Sequence, residues 1–299
     1  MTNASQCLAG VAGRLTILAV PTLTAVLLTG CEARVRPQTS SEERVISLAP
    51  SLTEIICAVG GGDSLVGRTS ACDFPPDIAA KVPVIGGFGT PSLELVVASR
   101  PTLILDTDLA DETVGAKIES LGLRREHVRC RGLDDIPAAL ARIGSLVHRE
   151  ARASALAEEL KRRVAILREE ARAVSRRPTV FVEIWNDPLT TVGRGTFLSE
   201  LIYLAGGRNL GDDVEKDYFE VSPEWVVSRN PDIVLCFYMS KGSGARRSVL
   251  ERTGWQQVNA VRSGAVFDGF DNNLILRPGP RVLEGIEALK TCIRREKKP

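Results

Sequence analysis

Two stretches of this chain repeat each other at a fixed offset, and that repeat limits the fold more than any other feature. Residues 91–105, PSLELVVASRPTLIL, and residues 221–235, VSPEWVVSRNPDIVL, share Ser92/Ser222, Glu94/Glu224, Val96/Val226, Val97/Val227, Pro101/Pro231 and Leu105/Leu235. Six identities in fifteen positions without a gap point to duplicated structure. A second pair occurs in the same order. Leu52-Thr53-Glu54-Ile55-Ile56 leading to Gly60-Gly61 matches Leu198-Ser199-Glu200-Leu201-Ile202 leading to Gly206-Gly207. The chain therefore contains two related lobes.

Around the repeat, short apolar runs alternate with helical patterns. Arg44 to Leu48, Ser64 to Thr69, Val82 to Ile85, Leu103 to Asp106 and His127 to Cys130 read as strands, with helices at Leu52 to Val59, Leu93 to Ser99 and Thr113 to Leu121. After Pro178 the alternation resumes through strands at 179–185, 190–192 and 232–238 and helices at 197–205, 223–229 and 281–293. Between them, apolar residues at Leu140, Ile143, Leu146 and Val147, then Leu156, Leu160, Val164 and Leu167, keep helical spacing with no proline from Ala138 to Arg177. About 40 residues at about 1.5 Å each predict one helix of roughly 60 Å, with a coiled coil as the competing reading. The expected fold class is α/β, with two Rossmann-like lobes of parallel sheet (44–135 and 178–299) joined by one long backbone helix (136–177).

The N-terminus reads as a leader. Leu15 to Thr29 is uncharged, interrupted by Pro21, and too short to span a bilayer. It ends in Leu28-Thr29-Gly30-Cys31, which resembles the bacterial lipobox, so residues 1–30 are expected to be removed and Cys31 acylated. Residues 31–43, polar and without periodicity, read as a tether that places the lobes outside the cytoplasm, anchored to a membrane by lipid. An uncleaved apolar anchor is the alternative.

Lys+Arg 38 against Asp+Glu 37 gives a net charge of +1, so no basic excess marks the chain for nucleic acid. Two histidines, His127 and His148, argue against a multi-histidine metal site. The cysteines beyond Cys31 are Cys57, Cys72, Cys130, Cys236 and Cys292; they form no CxxC pair and read as buried structural residues. Phosphate-loop, dinucleotide, nucleophile-elbow and zinc-protease motifs are all absent. Asp106 and Asp108, at a strand end, are the one place where a tethered enzyme or a metal could be argued.

Glu94 and Glu224 each follow a serine at the start of a short helix. One reading is a cap with a favourable dipole charge; the other is a matched pair of acidic points that dock on a symmetric partner carrying arginines. In parallel lobes, ligands sit beyond the C-terminal strand ends. Those loops hold Phe74, Phe88, Trp185, Phe237 and Tyr238, with Arg194 and Arg277 in comparable positions, a set suited to a large apolar ligand with a few polar groups.

The order of CDFPP (72–76), VPVIGGFGTPSLELVVASRPTLIL (82–105), a long helix, VSPEWVVSRNPDIVL and RPGPRVLEGIEAL (277–289) resembles the helical-backbone (class III) substrate-binding proteins of bacterial ABC importers. Those proteins serve cobalamin, haem and iron-siderophores, and the resemblance covers about residues 44 to 293. It implies a shallow cleft between lobes on a rigid helix, little hinge closure, no catalysis, and docking of Glu94 and Glu224 on arginines of a permease dimer. The CDFPP segment is most similar to the cobalamin branch. That implies corrin contacts from Phe74 and Phe88, Arg277 in the cleft, and cobalamin or a related corrinoid as the transported ligand, with no cofactor or metal held by the protein. A ferric siderophore or haem is the alternative. In this chain Phe88 stands where tryptophan is frequent, the acidic residue near the cleft arginine is shifted to Asp271, and Cys292 faces a disulfide-partner position occupied by Ala205.

Overall fold

Two four-stranded sheets carry the sequence repeat into three dimensions. A computed structural model of the protein describes residues 43–107, 112–238 and 244–294; the leader, Cys31, nearly all of the tether, and Asp108 lie outside the described residues.

The N-terminal lobe comprises β1 (Val45–Ser47), α1 (Pro50–Ala58), β2 (Leu65–Arg68), α2 (Pro76–Lys81), β3 (Gly86–Gly87), β4 (Thr90–Pro91), α3 (Leu93–Ala98), β5 (Leu103–Asp106), α4 (Glu112–Ser120) and β6 (Arg125–His127). Its main sheet has the order β2-β1-β5-β6 with every pair parallel. Val82 to Ile85 makes only a single parallel bridge, Arg68 to Val84, before turning into the β3–β4 hairpin. The last strand ends at His127, three residues short of the expected Cys130.

The expected single helix over 136–177 is two helices, α5 (Asp135–Leu146) and α6 (Glu150–Arg172), packed against each other. The break falls at His148, whose φ of 56° is left-handed, and the Arg149 guanidinium pins the turn by donating to the Gly60 and His148 carbonyls. Gly144 makes the close approach possible, because a Cβ there would lie 2.2 Å from the Ala153 side chain. The 23 residues of α6 span about 35 Å. Its buried stripe of Ala153, Ala157, Leu160, Val164, Leu167 and Ala171 packs as the periodicity requires.

The C-terminal lobe follows with β7 (Thr179–Glu183), β8 (Trp185–Asn186), β9 (Leu189–Val192), α7 (Phe197–Leu204), β10 (Arg208–Asn209), β11 (Tyr218–Glu220), α8 (Pro223–Arg229) and β12 (Ile233–Cys236). It closes with α9 (Ala245–Glu251), α10 (Asn259–Arg262), β13 (Val266–Phe267), α11 (Asn272–Leu276) and α12 (Val282–Ile293). Its parallel sheet has the order β10-β7-β12-β13, the same topology as the first lobe. A separate antiparallel sheet, β11-β9-β8, sits beside it. The repeat extends to the backbone: Arg100 and Asn230, each followed by proline, are left-handed at φ 45° and 47°.

Successive residues of each central strand feed different cores, as a sheet covered on both faces requires. Val45, Leu103 and Leu105, with Val180 and Val182, join one core that continues through Ile143, Leu160 and Leu167 into Leu201 and Ile286. Ile46 and Ile104 pack on the opposite face with Ile118, and Phe181 and Val234 with Trp255. The shared core ties both lobes to the helical pair.

Candidate functional site

The C-terminal ends of the parallel strands deliver the candidate residues. Phe74 lies in the loop after β2, Trp185 after β7, Tyr238 after β12, and Phe88 in the β3–β4 turn. Gly86 permits that turn: its φ is 135°, and a Cβ would sit 2.7 Å from the Pro91 backbone. Phe88 and Trp185 are 38% and 44% exposed, within the range of the other exposed large apolar side chains. The Trp185 indole donates to the Asp187 carbonyl at 2.9 Å, which fixes its edge.

The loop carrying Phe74 is built around Arg68. This buried guanidinium donates to the carbonyls of Val82 at 3.1 Å, Thr69 at 3.2 Å and Cys72 at 3.1 Å, and also to that of Ala79. From the other lobe, Arg277 donates to Asp73 at 2.7 Å and to the Ala71 carbonyl at 3.1 Å, with Glu54 at 3.5 Å. Arg281 grips the buried Glu54 with two 2.8 Å bonds, and its guanidinium lies 3.6 Å from the centre of the Phe74 ring. Arg277 is thus committed to the N-terminal loop. Arg194 lies elsewhere, bonded to the Asp212 carbonyl and to Glu215.

Beneath the second lobe's strand ends, Glu183 is wholly buried, receives 2.9 and 2.7 Å bonds from Arg252, and accepts the Tyr238 hydroxyl. Burial, and then the hydrogen bond to Glu183, hold the Tyr238 phenol well above its ordinary pKa. Arg252 also stacks over Trp255 at 4.3 Å. The Asn272 amide donates to the Tyr238 carbonyl at 2.7 Å, and Asn273 reaches Asp73 at 3.4 Å. The segment from Asp271 to Arg281 therefore connects Tyr238, Arg277 and Phe74, while Phe88 and Trp185 stand on separate hairpins.

Glu54, Glu183, Arg68, Arg252 and Arg281 escaped the sequence reading. Three of them carried a signal, a lone charge inside an apolar run: Glu54 in LTEIICAV, Glu183 in TVFVEI, Arg68 in LVGRT.

Glu94 and Glu224 are exposed at equivalent positions in the first turns of α3 and α8. The hydroxyls of Ser92 and Ser222 cap those helices, accepting from Leu95 at 3.4 Å and Trp225 at 3.2 Å. Hydrogen bonds from its own backbone and Ser222 lower the pKa of Glu224, so it stays ionised. Asp106 is buried against Arg125 at 2.6 Å and His127 at 3.0 Å, so its carboxylate is already occupied. Cys57, Cys72, Cys130 and Cys236 carry free thiols, and burial above all raises Cys57 and Cys130 to about 12, far from thiolate chemistry. No described helix is long and apolar enough to cross a membrane.

Two parallel lobes on a helical support agree with the comparison to known proteins. The periplasmic binding protein family matches residues 45–271. This chain belongs to that family. The binding protein is 29% identical over 258 residues to the uncharacterized ABC transporter substrate-binding lipoprotein YvrC of Bacillus subtilis (strain 168), covering 84% of this chain and 80% of that protein. It is 28% identical over 245 residues to the vitamin B12-binding protein of Pectobacterium carotovorum subsp. carotovorum (strain PC1), covering 81% and 84%. Among solved structures, the apo periplasmic heme-binding protein RhuT from Roseiflexus sp. RS-1 superposes with a TM-score of 0.75 at 27% identity, covering 85% and 98%. The binding protein is a substrate-binding component of an ABC transporter, a partner of a permease and not an enzyme. Asp106 ties Arg125 and His127 together in the first lobe.

Proposed function

We propose that the binding protein captures cobalamin or a related corrinoid between the strand ends of its lobes. It then presents the ligand to a permease dimer through Glu94 and Glu224. Ion pairing beside the aromatic rim, which leaves none of three arginines without a carboxylate, carries this reading. Arg252, Arg277 and Arg281 are matched by Glu54, Asp73, Glu183 and Asp271, within 3.9 Å in every pair. A corrinoid, whose edge is mostly amides, suits a polar rim with no uncompensated cation and flat aromatic contacts from Phe74, Phe88, Trp185 and Tyr238. Arg277 would contribute its remaining exposed edge. The protein supplies no ligand to the cobalt and holds no cofactor of its own.

A haem reading draws on the likeness to RhuT. Haem brings two carboxylates and an iron that takes a protein axial ligand. The cleft arginines are already paired, and Glu183 opposes ionisation of Tyr238, the tyrosine among the proposed ligand contacts. An anionic ferric siderophore, such as a tris-catecholate, meets the same electrostatic mismatch.

The sequence Leu28-Thr29-Gly30-Cys31 supports attachment to the membrane through an acylated Cys31. Labelled palmitate should enter the wild-type chain and not Cys31→Ser. For the ligand, equilibrium dialysis should retain cyanocobalamin on the wild-type protein, with Phe74→Ala and Phe88→Ala each weakening retention about tenfold. Retention of haemin with no retention of cyanocobalamin would replace the corrinoid reading with the haem one.

A further inference from the structure

The buried carboxylate of Glu54 sits in the first lobe, yet both of its oxygens are taken by an arginine of the second. Arg281 Nε donates to Oε2 and Nη2 to Oε1, each at 2.8 Å, across 227 residues of sequence. A carboxylate only 4% exposed is tolerated when it is paired in this way, and the two-point grip leaves the guanidinium plane one orientation. The central carbon of that guanidinium lies over the Phe74 ring, 3.6 Å from the ring centre.

We propose that Arg281 is a positioning residue for ligand capture: anchored on Glu54, it holds the Phe74 ring in the pose that receives the ligand. This rests on the reading that Phe74 contacts the ligand. Phe74 is half-buried in a loop secured by Arg68 and Arg277, whose hydrogen bonds reach backbone carbonyls and Asp73 but not the ring. A ring stacked in advance loses less conformational entropy when a flat ligand arrives. The surrounding contacts come from the same segment. Arg277 bonds Asp73 beside Phe74, and the Cys130 thiol donates to the Pro278 carbonyl at 3.1 Å. The second lobe thereby sets the geometry of an aromatic carried by the first. Lysine cannot replace Arg281, because an ammonium can neither grip both oxygens in a plane nor stack that plane on a ring.

A double-mutant cycle on the full-length protein tests this, with cyanocobalamin as the probe and calorimetry as the readout. Arg281→Lys should lower affinity about tenfold in the wild-type background and less than about twofold in a Phe74→Leu background, because its effect passes through the ring. A ligand-free measurement separates this from the identity of the ligand. The ring current of Phe74 should shift the Arg281 Nε–H resonance upfield in nitrogen-15 spectra, and Phe74→Leu should abolish that shift. Equal losses of affinity in both backgrounds, or an Arg281 resonance unchanged by Phe74→Leu, would overturn the proposal. If the wild-type protein binds no cyanocobalamin, the corrinoid reading fails and the resonance alone decides the role of Arg281.

Discussion

Asp73 and Arg277 meet at 2.7 Å across the two lobes, 204 residues apart in the chain. Partial burial raises the Asp73 pKa, but the hydrogen bond and charge of Arg277 outweigh it, and the net shift is downward from 3.8. A carboxyl whose folded pKa is depressed stabilises the fold above its unfolded pKa and loses that contribution as pH falls through the folded value. The side chain is 55% exposed, so solvent screening limits the effect to about 0.5 kcal/mol. Urea denaturation should find wild type more stable than Asp73→Asn near neutral pH, with the difference fading below about pH 4. A difference independent of pH would contradict this.

Glu183 should be far less replaceable. Glu183→Gln leaves Arg252 largely buried without its counter-charge and should cost about 3 kcal/mol in urea denaturation. The double variant Glu183→Leu with Arg252→Met should be more stable than Glu183→Gln alone. The Tyr238 phenol, held up by burial and by Glu183, should also ionise at lower pH in Glu183→Gln, as tyrosinate absorbance would report.

Gly144 makes a prediction whose sign is informative. Helix propensity alone would have Gly144→Ala stabilise α5 by about 1 kcal/mol. The added methyl would sit 2.2 Å from the Ala153 side chain, so the variant should instead lose about 2 kcal/mol as α6 is pushed away. Thermal unfolding distinguishes the two outcomes.

The repeat made the lobes legible because a duplicated strand order leaves duplicated local signals. Ser92 and Ser222 cap equivalent helices, and Arg100 and Asn230 turn the chain identically before Pro101 and Pro231. The break at His148 left no such trace, since neither glycine nor proline occupies the turn and tertiary contacts from Arg149 hold it. Phe74 and Tyr238 were visible as aromatics at strand ends. Their partners Arg281 and Glu183 were not: Arg281 reaches Phe74 only because the two lobes meet, and Glu183 reaches Tyr238 across 55 residues only because β12 lies beside β7.

Glu94 and Glu224 should act after capture. Reversing both charges, Glu94→Lys with Glu224→Lys, should abolish cellular uptake of labelled cyanocobalamin while the purified protein binds it as before. A loss of affinity matching the loss of uptake would place these residues in the cleft instead of on a docking face.

The central claim is that the cleft accepts a neutral-rimmed corrinoid. Titration calorimetry with cyanocobalamin, cobinamide, haemin and a ferric siderophore, under one set of conditions, tests it most directly. The account predicts one-to-one binding of the corrinoids, tighter than that of the two iron compounds. Silence with both corrinoids and saturable heat with haemin or the siderophore would contradict it.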